Sequence, residues 1–401
     1  MTYGGLAMEK KKIVVLHRSL VMGGEERVTI NLLNALDYSR VEVTLWLLER
    51  GGVLEKNLNE NVTVRTLDYS EYFPENDLRR LLKCRLKRLQ FSEVLRILYY
   101  KSRVIISKNP GERELLKMKA YGPVDRNTYD LLILNHSYRQ ELLYWALGRF
   151  RAKKRAFWVH GKDYLSPEPD LRRYAYGKYD RVFPVSKGVM DYFLGLYPEL
   201  KDRAEVFYNI QNIEDIKARS MEPCDTETEQ PAIVTVGRLS PEKGMDLIPE
   251  TMSLLLKKGI SAIWYVVGGG PEYERLQSLS KSLDVEKNVR FLGEKTNPYP
   301  YMRVAAVYVQ PSRSEGFCTT TIEAKIIGKP VVATDVNGMR EQFEDGVTGI
   351  IVPIESPEAL CEAVSDLLEH PEKRQGIIDN IAREGALVSN DLSGLYTLLN
   401  L

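Results

Sequence analysis

Short apolar, β-branched runs recur along this chain, and they constrain the fold more than any other feature. KIVVLH (12–17), VEVTLWLL (41–48), DLLILNH (130–136), RAFWVH (155–160) and DRVFPVS (180–186) fill the first half. The rhythm restarts after residue 230 with AIVTVG (232–237), AIWYVVG (262–268), VRFLG (289–293), VYVQPS (307–312) and PVVATD (330–335). Strands apolar along their whole length, alternating with helix-like stretches such as MDLIPETMSLLLKKG and EYERLQSLSKSL, call for a parallel sheet covered on both faces. Between the halves lies MEPCDTETEQP (221–231), polar, strand-poor and carrying a proline towards each end, which reads as a linker. The expectation is an α/β chain of two doubly wound domains, 8–220 and 232–383, facing each other across a cleft. A tail, 384–401, is expected to pack back on the first. A length of 401 residues agrees, since it exceeds one ordinary core. Such sheets bind ligands beyond the carboxyl ends of their strands, where loops carry the chemistry.

Basic and acidic residues nearly cancel, 56 against 55, so the global charge gives no reason to expect nucleic acid. The four cysteines, Cys84, Cys224, Cys318 and Cys361, are far apart and lack zinc-ligand spacing; they read as reduced thiols of a cytosolic protein. No apolar run approaches the roughly 18–20 residues of a membrane span, and no signal-peptide core is evident. The opening MTYGGLA, ahead of Met8, reads as a start-site artefact rather than structure. One stretch departs from the charge balance: residues 79–119 hold 13 basic and 3 acidic side chains among leucines, isoleucines and tyrosines. Three readings fit it: a helix lying on an anionic membrane, a solvated face, or a basic acceptor groove. The expected location is cytoplasmic, peripheral on the inner face of the cell membrane.

Several strand-end loops carry candidate chemistry. Gly23 and Gly24 open a helix after the first strand, without the GxGxxG spacing of a dinucleotide fold; they form a tight turn or admit a ligand to a helix N-terminus. In VGRLSPEKG, Arg238 and Lys243 follow a strand and precede a helix, a pair of cations suited to a diphosphate or to plain solvation. Gly268, Gly269 and Gly270 follow the next strand, either shaping a loop or leaving room for a nucleotide backbone. SEGFCTTTIEA (314–324) places Glu315 and Glu323 on either side of a helix start. Thr320 and Glu323 also fit a capping box, but such a box does not need Glu315. A carboxylate such as Glu323 can take a vicinal diol, Glu315 can hold sugar hydroxyls, and the helix amides can take an anion. Together these residues suit a sugar joined to a diphosphate.

In their order along the chain, GGEERV, WVHGKD, PVSKG, YNIQN, VGRLSPEKG, VVGGGPEYERL, FLG, PSRSEGFCTTTIEA and GKPVVATDVNGMREQFEDGVTGI resemble the retaining glycosyltransferases of family 4. The resemblance covers nearly the whole chain and implies a GT-B fold of two Rossmann-like domains. It further implies that Arg238 and Lys243 grip the donor diphosphate, assisted by amides near Cys318 and Thr319. Glu323 would bind ribose, and Glu315 with the backbone of Gly316 and Phe317 would address the donor sugar. His160 would stand near the reacting carbon, and Gly23 and Gly24 beside the phosphates and acceptor. Gly268 and Gly269 would border the nucleotide. Two positions depart from the pattern. Gly161 stands where the family carries an aspartate, which leaves the role of Asp163 open, and YNIQN replaces a proline, asparagine and glycine run, which makes Asn209 a weak match.

No Asp-x-Asp triplet occurs, so neither a metal nor another cofactor is expected, and cations with helix amides would stabilise the leaving diphosphate. The family implies front-face attack with retention, against the rival of Glu315 as a covalent nucleophile. The expected activity is transfer of a hexose-type sugar, from UDP-sugar first, to a lipid-linked saccharide in surface polysaccharide or glycolipid synthesis. A soluble acceptor, an idle nucleotide-sugar-binding protein and a sugar-nucleotide epimerase stay open as alternatives.

Overall fold

The computed structural model describes residues 9–66, 78–135, 140–161, 169–226, 230–385 and 390–401. Asp163 lies outside them. Each half of the chain builds a six-stranded parallel sheet. In the first, β1 (Lys11–His17), β2 (Val41–Leu47), β3 (Val62–Thr66), β4 (Thr128–Leu134), β5 (Arg151–Val159) and β6 (Arg181–Pro184) take the order β3-β2-β1-β4-β5-β6. In the second, β7 (Ala232–Val236), β8 (Ile263–Val267), β9 (Val289–Gly293), β10 (Val307–Gln310), β11 (Val331–Thr334) and β12 (Ile350–Val352) take the order β12-β11-β10-β7-β8-β9. Taken from β9, the second order repeats the first. In both, the winding reverses between the first and fourth strands, and the crevice at a switch point therefore falls between β1 and β4 and between β7 and β10.

Register places Ile13 beside Val43 on one flank and Leu131 on the other, all fully buried. The second core gathers Trp264, Ile248, Met252, Val309, Val332 and Val364 around the middle of its sheet. The edge strands escape the sequence pattern. β3 runs from buried Val62 to exposed Thr66, and β12 is only three residues long.

The chain divides between Ile210 and Gln211, ahead of the expected linker at 221–231. Helix Ile213–Ser220 is tied into the second unit: Arg219 Nη2 donates to the Thr296 carbonyl at 3.0 Å, and Arg303 Nε donates to that of Ser220 at 2.8 Å. Asn297 Nδ2 adds a bond to the Arg219 carbonyl at 2.9 Å. The last helix, Ser393–Leu399, clusters with the first unit, where Tyr396 Oη accepts the Asp37 amide at 3.0 Å and Leu395 is buried.

Gly268 and Gly270 are fixed by packing within the second unit. With φ at +150° and +157°, they sit where a Cβ would stand 1.8 Å from the Gly237 carbonyl oxygen and 2.3 Å from that of Leu239. The Leu239 amide donates to Gly269 at 2.9 Å, and the loops after β7 and β8 thus meet backbone to backbone. At Gly269 a Cβ would meet the Glu294 side chain at 2.8 Å. At these three positions the side on which a Cβ would stand is occupied by protein. Gly268→Ala is expected to cost at least about 2 kcal/mol in denaturant unfolding. Gly195→Ala, in the last turn of helix Lys187–Leu196 with nothing within 4 Å of the added carbon, should gain up to about 0.5–1 kcal/mol instead.

Candidate active site

In the second unit the loops following β7 and β10 flank the switch point and carry Arg238, Lys243 and Glu315. A 3-10 turn, Pro241–Lys243, ends at Gly244 with φ +62°, where a Cβ would stand 2.1 Å from the Pro311 carbonyl oxygen. Glycine is required because the two loops touch through their backbones. Arg313 fastens them: Nη1 and Nη2 reach Asp246 at 2.7 and 2.9 Å, Nη1 also reaches the Pro241 carbonyl at 2.9 Å, and the Arg313 amide donates to Glu242 at 2.8 Å. A bidentate guanidinium–carboxylate pair of this kind sets orientation as well as energy. Although burial opposes ionisation of Asp246, the Arg313 bonds outweigh it and hold the carboxyl below its usual range.

This juncture brings Lys243 to Glu315. Lys243 Nζ donates to both carboxylate oxygens at 2.8 Å, and Glu315 is only 8% exposed. Ser312 Oγ donates to Oε1 at 2.7 Å, Gln310 Nε2 to Ser312 Oγ at 2.9 Å, and Tyr308 Oη to Gln310 Oε1 at 2.7 Å. A buried polar chain thus runs from the middle of β10 to the carboxylate, each member partnered, which rigidifies rather than penalises the site. Burial disfavours the Lys243 charge, but the adjacent Glu315 carboxylate outweighs it and lifts the ammonium above the usual lysine range. Arg238 is exposed, and its guanidinium has no hydrogen-bond or ion-pair partner among the described residues.

Beyond Glu315 and Gly316 the chain turns through buried Phe317 and through Cys318, whose φ of +28° is left-handed. Gln342 holds this turn: its Nε2 donates to the Phe317 carbonyl at 2.6 Å, while its own carbonyl accepts Lys325 Nζ at 2.8 Å. Burial, with the Glu315 charge nearby, pushes the Cys318 thiol up to about 12, and it is therefore no nucleophile at neutral pH. Helix Thr319–Ile326 starts here, and the capping-box reading is corrected. Cys318, not Thr320, is the residue before the helix, and no side chain caps it. Thr320 Oγ1 instead donates to Gln310 Oε1 at 3.2 Å. Glu323, 2% exposed, accepts Tyr299 Oη at 3.1 Å. Thr319, the first helical residue, and the amides of the first turn thus carry no capping side chain.

The first unit carries the remaining candidates. Gly23 precedes helix Gly24–Ala35 in extended backbone that any residue adopts, and Glu25 and Glu26 occupy the first turn. Two carboxylates already complement the positive helix end, so this terminus suits a neutral sugar better than a phosphate. His160, partly exposed, follows β5. Its Nε2 lies 3.0 Å from both the carbonyl and Oδ1 of Asn135, the residue after β4. Asn209 is buried, and its Oδ1 has no hydrogen-bond partner among the described residues. Sequence motifs singled out Arg238, Lys243, Glu315, Glu323 and His160, but not Asn135, Ser312, Gln310, Arg313 or Gln342. Gln310 ends a strand and Ser312 follows it by two residues, a signal available in VYVQPS; the Arg313–Asp246 pair spans 67 positions and leaves none.

The second unit sets a buried lysine–glutamate pair and an exposed arginine at its switch point, and comparison with known proteins gives the class of enzyme. Residues 217–384 match the family described as glycosyl transferases group 1. The N-acetylgalactosamine-N,N'-diacetylbacillosaminyl-diphospho-undecaprenol 4-alpha-N-acetylgalactosaminyltransferase of Campylobacter jejuni is 25% identical over 372 residues, 91% of this chain and 92% of its own. A GDP-mannose-dependent alpha-(1-6)-phosphatidylinositol monomannoside mannosyltransferase of Mycolicibacterium smegmatis is 32% identical over 36% of this chain and 40% of its own. Among solved structures, Anabaena Alr3699/HepE in complex with UDP superposes with a TM-score of 0.67 at 18% identity, covering 97% of this chain and all of that one. The chain is a glycosyltransferase of the GT-B fold whose residues 217–384 are similar to the group 1 family, in line with the resemblance carried by its motifs.

Lys243→Ala leaves Glu315 buried with its charge unmatched, and is expected to destabilise the protein by about 1–3 kcal/mol in denaturant unfolding. Adding Glu315→Ala should restore part of the loss. Because the folded pKa of Lys243 is raised, the stability it contributes is fully present below the ordinary lysine pKa. That contribution is lost only as pH climbs through the raised value, so it should be flat around neutrality.

Proposed function

We propose that the enzyme transfers a hexose-type sugar from a UDP-sugar to a lipid-linked saccharide, with retention of configuration and without a metal. The observation that carries this reading is the buried carboxylate of Glu315 clasped by Lys243, beside the partnerless cation of Arg238 and the uncapped helix at Thr319. In the reaction the bond from C1 to the diphosphate oxygen breaks, and the leaving oxygen takes the electron pair. The acceptor oxygen bonds to C1 from the same face, and its proton passes to the departing phosphate. Negative charge therefore grows on the diphosphate, where Arg238, Lys243 and the amides near Cys318 and Thr319 stabilise it. With these donors no bound cation is needed. Glu315, engaged by Lys243 and Ser312, is a poor nucleophile and acts by holding sugar hydroxyls with Gly316 and Phe317; Glu323 takes the ribose. His160 addresses the reacting sugar, and the Gly23–Gly24 turn the acceptor. Uracil as the base of the donor is favoured by the UDP of the Anabaena structure, and a lipid-linked acceptor by the undecaprenol-linked substrate named for the Campylobacter relative.

Peripheral attachment to an anionic membrane is supported by helix Phe91–Ile106. Val94 and Ile97 face the protein, while Phe91, Leu95, Leu98, Tyr99, Ile105 and Ile106 are 46% to 73% exposed along one stripe. Exposed Lys87, Arg88 and Arg103 flank it, and Leu89, in a left-handed turn, projects at 72% exposure. No helix among the described residues is long and apolar enough to cross a membrane. A helix with an apolar stripe and basic flanks lies in the interface plane.

UDP release from a panel of UDP-, GDP- and ADP-sugars in EDTA should single out one donor. Arg238→Ala, Lys243→Ala and Glu315→Ala should each lower the rate by about 10²–10³; full activity in all three would sink the assignment. Leu95→Glu with Ile105→Glu should abolish cosedimentation with vesicles rich in anionic phospholipid while sparing donor hydrolysis in solution.

A further inference from the structure

Two carbonyls of the turn that opens helix Thr319–Ile326 are tied down by buried side chains of the second unit. Gln342, the last residue of the short helix Met339–Gln342 and 2% exposed, points its side-chain amide at the Phe317 carbonyl at 2.6 Å. That amide can face only one way, because the reverse orientation would set Oε1 against the carbonyl oxygen. Oε1 therefore faces Thr321, whose hydroxyl proton lies between Oε1 and the Cys318 carbonyl, both 2.7 Å from Oγ1. Lys325, buried on the same helix as Thr321, donates Nζ to the main-chain carbonyl of Gln342 at 2.8 Å. Gly338, with φ +81°, starts the short helix where a Cβ would stand 3.2 Å from Phe317 Cα. Gln342 is thus fixed by its main chain as well as by its side chain.

Across a planar trans peptide, a carbonyl and the amide that follows it point in opposite directions. Holding the Phe317 carbonyl towards Gln342 therefore turns the Cys318 amide away from it, and holding the Cys318 carbonyl towards Thr321 does the same for the Thr319 amide. Neither amide donates to another of the described residues. From this geometry we infer that Gln342 is a positioning residue that, with Thr321, aims the Cys318 and Thr319 amides at the donor diphosphate. It acts through the backbone of the turn and not by contact with substrate. Cys318, at φ +28°, holds a conformation that a side chain disfavours, so the turn needs these bonds to keep it. The inference rests on the reading that places the diphosphate at this helix. Its physical sense is preorganisation: the amides are directed before charge grows on the leaving group.

Selective ¹⁵N-cysteine labelling reads the Cys318 amide directly, since the sequence has only four cysteines and Cys318→Ser identifies its signal. On titration with UDP, GDP and ADP in turn, one nucleotide should move this signal in the wild-type protein. Gln342→Leu, which fills the space without a donor, should displace the signal in the free protein and lose most of that response. It should also lower kcat for nucleotide release from the matching sugar donor about tenfold, more than it raises donor KM, because charge grows on the diphosphate as the bond breaks. Thr321→Val, which keeps the size and loses only the hydroxyl, should act in the same direction but less, and it carries the test if Gln342→Leu folds poorly. Lys329→Met, which removes a donor from the Ala305 carbonyl at 2.9 Å ahead of β10 and β11, should lower stability and leave both readouts unchanged. Unchanged response and kcat in Gln342→Leu, or in Thr321→Val where the former does not fold, would overturn the proposal and leave the donor site standing. An equal loss in Lys329→Met would reduce Gln342 to a general structural role and overturn it as well. If no nucleotide moves the wild-type signal, the diphosphate is not at this helix, and that placement fails together with the proposal.

Discussion

Contact between the loops after β7 and β10 is the constraint on which the candidate donor site depends. Gly244 lets the first loop pass against the Pro311 carbonyl, and Arg313 rivets the two through Asp246 and Pro241. Only then can a lysine from one loop and a glutamate from the other meet at 2.8 Å. The buried chain from Tyr308 through Gln310 and Ser312 acts on the same carboxylate from below. Geometry is thus set before any substrate arrives, which is what electrostatic stabilisation of a leaving group demands.

The two halves share a topology but use it differently. In the second unit the switch point is charged, with a free cation, a paired cation and an uncapped helix. In the first unit the cation that follows β1, Arg18, is paired with Glu49 at 3.1 Å, two glutamates occupy the helix start, and an imidazole follows β5.

Much of this architecture was legible in the sequence because parallel strands are buried on both faces and read as unbroken apolar runs. AIWYVVG and DLLILNH are such runs. VTVRT was not legible, since an edge strand needs no continuous apolar face, and IIV is too short to stand out. The polar segment 221–231 marked a change in composition, yet the boundary at 210/211 is decided by where helix Ile213–Ser220 docks, a non-local fact. Charged site residues declared themselves by motif. Their supports did not: Asn135 sits 25 positions from His160, and Gln342 as far from the Phe317 carbonyl that it holds. The capping-box pattern at Thr320 misled because tertiary partners, Gln310 and Tyr299, outbid the local hydrogen bonds that the spacing allows.

The return of Asn390–Leu401 to the first unit carries a consequence for biogenesis. A ribosome releases the first sheet early, but the helix Ser393–Leu399, with Leu395 buried and Tyr396 bonded to Asp37, emerges only after the whole second unit. The second unit is in effect an insertion, able to close on itself while the first waits for its final piece. Nascent chains stalled short of residue 390 would hold a finished second unit and an incomplete first one, exposing the apolar seat of that helix to chaperones.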